Sequence, residues 1–95
     1  MRGDLDFDKA AVLLDALSHP ARLKTLMLTS EREWDVTSLA AAVGLTQSAL
    51  SQHLRKLRDA GLVDVRRDSQ AKFYRCSHPG VAILLATVKD LREEF

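Results

Sequence analysis

The chain has 95 residues, 46% apolar and 28% charged, with a formal net charge of +1. That length suits a single domain over residues 1–95, near the lower limit of independent folding, and leaves little room for a catalytic cleft beside a core. The single Cys76 excludes an internal disulfide framework, and no stretch approaches the roughly 18 apolar residues of a membrane span.

The opening "MRGDLDFDKAAVLLDALSHP" has neither the basic start nor the unbroken apolar run of a secretory signal, so a cytoplasmic protein without membrane contact is expected. Within it, Leu13, Leu14 and Leu17 recur at helical spacing behind acidic residues that favour a helix start. "SHPARLKTLMLTS" predicts a second helix with Pro20 in its first turn, where a missing N–H does no harm, and with Leu23, Leu26 and Met27 as the buried stripe. Asp35 reads as the N-cap of a short helix running through Leu39 to Val43, which Gly44 ends in a left-handed conformation. Thr46 caps the following helix, predicted over Gln47 to Ala60 and stopped by Gly61.

Beyond it, "LVDVRRDSQAKFYRC" predicts two strands, Leu62 to Arg67 and Lys72 to Cys76, joined by a turn of Asp68, Ser69, Gln70 and Ala71. Ser77 and Pro79 introduce a last helix whose Val81, Leu84, Leu85, Val88, Leu91 and Phe95 form a stripe long enough to cover a core or a second subunit. A short helix joined by "GLT" to a second one, followed by a two-stranded wing, is the organisation of a winged helix-turn-helix, a mainly α fold with a small β-hairpin.

Charge is unevenly spread. Residues 47–75 hold seven Lys/Arg against three Asp/Glu, about +4, whereas residues 1–46 hold five against seven and residues 76–95 two against three. A positive field is thus concentrated on one part of the molecule. The helix from Gln47 divides into two faces when successive residues are placed about 100° apart. Ala49, Leu50, His53, Leu54, Leu57 and Ala60 fall on one side; Gln47, Ser48, Ser51, Gln52, Arg55, Arg58 and Asp59 fall on the other.

A polar face nearly free of carboxylates suits the major groove, where amide, hydroxyl and guanidinium groups meet base edges and acids would be repelled by phosphate. Gln47, Ser48, Ser51 and Gln52 are the candidate base readers, and Thr46, Arg55 and Arg58 the candidate phosphate or groove-edge contacts. Arg66, Arg67, Gln70 and Lys72 on the wing would hold the neighbouring backbone or minor groove. Double-stranded DNA is the partner this pattern selects. The alternative is a winged helix that docks another protein with the same polar face, without sequence-specific DNA binding. An enzyme is not expected, since the chain has neither a Gly-rich phosphate loop nor a Ser-His-Asp arrangement in context.

From "LLDALSHPARLKTL" through "LAAAVGLTQSALSQHLRKLRDAGLV" to "RRDSQAKFYR", nearly the whole chain resembles the ArsR/SmtB family of small bacterial transcriptional repressors. It is most similar to the branch of biofilm-growth, nodulation and haemolysin regulators. The resemblance implies a homodimer built from the first and last helices, binding an imperfect inverted repeat and blocking transcription. Symmetry fits the physics, because one short helix reads too few base pairs and a dimer doubles the contacts at half-sites about one DNA turn apart.

The resemblance also says where inducer sites would lie. The paired cysteines of metal-sensing relatives fall at Asp35 and Thr37, and a carboxylate and histidine site on the last helix falls at His78, Gly80, Leu91 and Glu94, of which Gly80 and Leu91 cannot ligate. A cysteine-pair switch falls at Met27 and Glu93. No metal site or cofactor is therefore expected, and the inducer is unknown. Cys76, beside Arg75, is a candidate redox thiol, although a buried inert cysteine is the favoured reading. His53 is expected to be a core histidine with one hydrogen bond, His19 and His78 to cap helices in their "SHP" contexts, and Trp34 to pack where a helix begins.

Overall fold

The structure, a computed structural model, describes residues 4–93. Five helices and three short strands follow one another among these residues: α1 (Phe7–Leu17), α2 (Pro20–Glu31), β1 (Trp34–Asp35), α3 (Val36–Val43), α4 (Gln47–Asp59), β2 (Asp64–Asp68), β3 (Ala71–Arg75) and α5 (Pro79–Glu93). Each of the first four helices starts on a side chain that satisfies an otherwise unpaired backbone N–H. Asp6 accepts from the Lys9 N–H at 3.1 Å, His19 Nδ1 from Ala21 at 3.0 Å, Asp35 from Ser38 at 3.0 Å and Thr46 from Ala49 at 3.1 Å. His78 Nδ1 accepts from the Gly80 N–H at 3.0 Å in the same way at the start of α5. Gly44 ends α3 at φ 86°, in the left-handed region.

The core is built where the helices meet. Leu26 of α2, Leu39 of α3 and Leu50, Leu54 and Leu57 of α4 are almost wholly buried, joined by Ala16, Leu17, Leu62, Val63, Tyr74, Cys76 and Val81. One expectation for α2 is corrected. Met27 is exposed, and the buried positions beside Leu26 belong to Thr25 and Thr29. Threonine is tolerated there because each hydroxyl donates to a carbonyl one turn back, Thr25 to Ala21 at 2.7 Å and Thr29 to Thr25 at 2.8 Å.

The hairpin is shifted relative to the sequence reading. Asp68 pairs with Ala71, so both belong to strands and the turn proper is Ser69 and Gln70, with Ser69 at φ 56°. A two-residue turn closes a twisted ribbon best with positive φ, which an L-serine adopts at a local cost. Leu62 and Val63 precede the first strand and are buried as part of the core. Cys76 follows the second, its N–H donating to the Thr29 carbonyl at 3.1 Å.

The sheet has a third strand beyond the expected hairpin. β1 pairs antiparallel with β3, Trp34 opposite Tyr74 and Asp35 opposite Phe73, so β3 is the central strand of a β1-β3-β2 sheet. Trp34 is half-buried, its indole N–H donating to the Leu28 carbonyl at 2.9 Å and the Arg32 guanidinium lying 3.5 Å from its ring centre. The wing is thereby fastened to the end of α2.

On the far side, the apolar stripes of α1 and α5 are only partly used. Leu17 and Val81 are buried and Leu84 and Leu85 half-buried, whereas Phe7, Val12, Leu14, Ile83, Val88 and Leu91 are exposed. Phe95, expected at the end of the α5 stripe, and Glu94 lie outside the described residues.

Candidate nucleic-acid interface

α4 separates its two tasks as its periodicity requires. Leu50, Leu54 and Leu57 pack inward with Ala49, His53 and Ala60 half-buried beside them, while Gln47, Ser48, Ser51, Gln52, Arg55, Arg58 and Asp59 are all exposed. The connection from α3 is tight. Gly44 and Leu45 both donate to the Ala40 carbonyl, at 2.9 and 3.0 Å, and Gln47 Nε2 donates to Thr37 Oγ1 at 3.0 Å. Of the four candidate base readers, Gln47 thus spends its amide N–H locally, whereas Ser48, Ser51 and Gln52 make no side-chain hydrogen bond among the described residues. Thr46 likewise uses its hydroxyl as the α4 cap.

Strand alternation decides which wing cations face α4. Side chains directly opposite across an antiparallel pair share a face, and residues two apart on one strand do as well. Arg67 lies opposite Lys72 and Val65 opposite Tyr74, so these four share a face. Tyr74 and Lys72 of β3 line one groove with Ser51, Arg55, Arg58 and Asp59 of α4. Placing two like charges directly across a ladder is locally unfavourable, a cost that an anion in the groove would relieve.

Arg66 lies on the opposite face, which changes its role. It sits across from Phe73, its guanidinium 4.6 Å from that ring centre, and donates twice to Glu33, from Nε at 2.9 Å and from Nη2 at 2.8 Å. That contact, chiefly the hydrogen bond from Arg66, holds the Glu33 carboxyl below its ordinary range and raises the Arg66 guanidinium. Asp68 adds a looser partner at 3.7 Å. Arg66 is thus engaged by Glu33 and ties β2 to the segment before β1. Among the described residues, Arg55, Arg58, Arg67 and Lys72 have no ion-pair partner. Gln70 occupies the exposed tip.

Two contacts that hold α4 from behind escaped the sequence reading, because their partners are far apart in the chain. Lys56 pairs with Asp15 of α1 at 3.0 Å, and this hydrogen bond lowers the Asp15 carboxyl. His53 meets Arg22 through Nδ1 at 3.2 Å, its one side-chain hydrogen-bond partner among the described residues. Burial first, then the nearby His19 and Arg22, keeps His53 below the usual imidazole range.

Cys76 is 4% exposed, and burial pushes its thiol up, opposed only by a His78 backbone hydrogen bond. This supports the favoured reading of Cys76 as a buried, inert thiol over a redox role, because a raised, enclosed thiol is a poor nucleophile. Among the described residues no group of three or more His, Cys, Asp and Glu side chains is placed to hold a metal ion, and no helix is long and apolar enough to cross a membrane.

Residues 19–65 match the family described as "Bacterial regulatory protein, arsR family". The nodulation protein NolR of Rhizobium meliloti is 44% identical over 86 residues, covering 90% of this chain and 70% of NolR. The transcriptional activator HlyU of Vibrio cholerae is 42% identical over 83 residues, 87% of this chain and 77% of HlyU. Among solved structures, NolR from Sinorhizobium fredii superposes with a TM-score of 0.85 at 42% identity, covering 90% of this chain and 85% of that one. A homodimeric winged helix-turn-helix DNA-binding domain from Mycobacterium bovis, solved by NMR, superposes with a TM-score of 0.82 at 32% identity over 99% of this chain and 92% of that one. The chain belongs to the arsR family of bacterial regulatory proteins and is a transcriptional regulator of winged helix-turn-helix fold.

Proposed function

We propose that the chain acts in the cytoplasm as a homodimeric repressor that reads an inverted-repeat operator, with α4 in the major groove and the wing on the adjacent backbone or minor groove. The observation that carries this reading is the exposed face of Ser48, Ser51, Gln52, Arg55 and Arg58 on α4, of which Ser51, Arg55 and Arg58 share a groove with Lys72 of the wing, while Arg55, Arg58, Arg67 and Lys72 have no ion-pair partner among the described residues. Unpaired cations flanking neutral hydrogen-bonding groups combine phosphate attraction with base readout. Ser48, Ser51 and Gln52 are the base readers, Arg55 and Arg58 the phosphate contacts, and Arg67, Lys72 and Gln70 the wing contacts.

The second copy covers the exposed apolar residues of α1 and α5, burying side chains that would otherwise face water. The DNA-binding domain from Mycobacterium bovis is described as homodimeric, which supports self-association. Repression then follows from occlusion where an operator overlaps a promoter. One relative, HlyU of Vibrio cholerae, is named a transcriptional activator, and another, of Agrobacterium fabrum, a biofilm growth-associated repressor. The deciding experiment is fluorescence anisotropy with a duplex from upstream of the chain's own gene and a scrambled control, at two salt concentrations. Binding that favours the first duplex, weakens steeply with salt and saturates at two chains per duplex is the expected result. Weak binding to both, indifferent to salt, would point to a polar face that docks a protein.

A further inference from the structure

α4 is seated by a joint that neither base reading nor core packing requires. Arg22, on the first turns of α2, donates from Nε to the Ala16 carbonyl at 2.6 Å and from Nη2 to the Asp15 carbonyl at 3.3 Å, which terminates α1. Its remaining nitrogen, Nη1, reaches His53 Nδ1 in the middle of α4 at 3.2 Å. One planar guanidinium therefore touches the end of α1 and the inner face of α4 while rooted in α2. A guanidinium has no acceptor, so Nδ1 of His53 must accept, and His53 is present as the neutral tautomer carrying its proton on Nε2.

We propose that Arg22 is a positioning residue for the recognition helix, fixing α4 against the ends of α1 and α2 through the neutral imidazole of His53, so that protonating His53 unseats α4 and weakens operator binding. This rests on the DNA-reading role proposed above. Among the described residues, no unengaged carboxylate faces His53 to stabilise an added charge. From α2, Arg22 and the His19 ring face it, the latter with its centre 4.4 Å away. From α1, the Asp15 carboxylate is engaged by Lys56, one turn further along α4. α3, "VTSLAAAV", carries no titratable side chain. His19 has its own Nδ1 committed to the Ala21 N–H. An imidazolium at residue 53 would lose its hydrogen bond and face a fixed cation.

The direction of the pH effect follows. Because the folded protein holds His53 below its ordinary value, the stabilisation is complete above about pH 6.5 and is lost as pH falls through the lowered value. Acidification adds positive charge, so attraction to DNA in general does not fall. A selective loss of operator preference is the signature of the joint.

The test compares the intact chain with His53→Gln, whose amide oxygen can accept from Arg22 at any pH, and with Arg22→Lys, which keeps the charge but cannot span three acceptors. Affinities for the upstream duplex and for the scrambled duplex are measured at pH 7.5 and pH 5.5. The wild type is expected to lose on the order of tenfold in preference between the two pH values, His53→Gln to keep its preference, and Arg22→Lys to show the loss already at pH 7.5 with scrambled binding unchanged. A wild type indifferent to pH, or a His53→Gln chain that loses preference as the wild type does, overturns the proposal. His19→Asn, which preserves the cap, is expected to leave the wild-type loss in place; its disappearance would move the effect to His19 and overturn the role of His53. If the wild type prefers no duplex even at pH 7.5, the DNA-reading role fails. The joint is then judged separately by amide exchange at pH 5.5, where residues 47–59 are expected to exchange faster in the wild type than in His53→Gln, and equal rates overturn it.

Discussion

Two surfaces of this molecule are exposed for opposite reasons. The surface formed by α4 and the wing presents hydroxyls, amides and cations, all of which water satisfies, so the free chain incurs little cost in leaving it bare. The surface formed by α1 and α5 presents Phe7, Val12, Leu14, Ile83 and Leu91, each more than half exposed, and water is a poor solvent for it. The difference teaches that exposure alone does not identify a binding site. In the function proposed above, the first surface meets a highly charged partner at intervals, and the second meets a partner that stays.

The sharpest way to break this distinction is to charge the apolar surface. Ile83→Asp is expected to leave a folded monomer by analytical ultracentrifugation and to weaken operator binding on the order of a hundredfold or more, as the linked half-sites are lost. An unaltered dimer would place the second copy elsewhere. Next in size, Leu54→Ala removes a side chain 1% exposed on the inner face of α4 and is expected to cost about 2–5 kcal/mol in urea unfolding. On the outer face of the same helix, Gln52→Ala is expected to leave stability unchanged while costing about 1–3 kcal/mol of discrimination at one base pair per half-site. Selection of preferred duplexes from a randomised pool checks this.

The smallest expected effect compares neighbours on β2. Arg67→Ala is expected to lower affinity for all duplexes alike and to reduce the salt slope by about one ion per half-site. Arg66→Ala, whose guanidinium is occupied by Glu33, is expected to leave the salt slope nearly intact. Equal slopes for the two variants would show that Glu33 releases Arg66 when DNA arrives.

Most of α4 was legible in the sequence because the evidence for it is local. The Thr46 cap, the Leu50, Leu54 and Leu57 spacing and the Gly61 stop lie within one stretch, and two-faced periodicity turns directly into orientation. The caps at His19, Asp35 and His78 were legible for the same reason. β1 was not, since a strand of two residues, Trp34 and Asp35, is too short to show alternation. The Thr25 and Thr29 burial was hidden because their polarity is cancelled by carbonyls of their own helix. Within the candidate site, residue types and helix face could be read, but availability could not. Whether Arg66 is free depends on Glu33, and the seat of His53 depends on Arg22, 33 and 31 residues away in sequence. Such pairings are created by folding and leave no local trace.

The β1-β3-β2 sheet has one more consequence. Because β3 is bonded on both sides and Trp34 fixes β1 to α2, the wing is not a free arm: its distance from α4 is set by the body of the protein, like the gap of a caliper. DNA whose adjoining minor groove is too wide or too stiff would force either α4 or the wing out of contact even where every base edge is correct. In the mode of binding proposed above, operator choice then depends on the width and bendability of base pairs that no side chain touches, and sites with identical contacted letters are sorted by their shape.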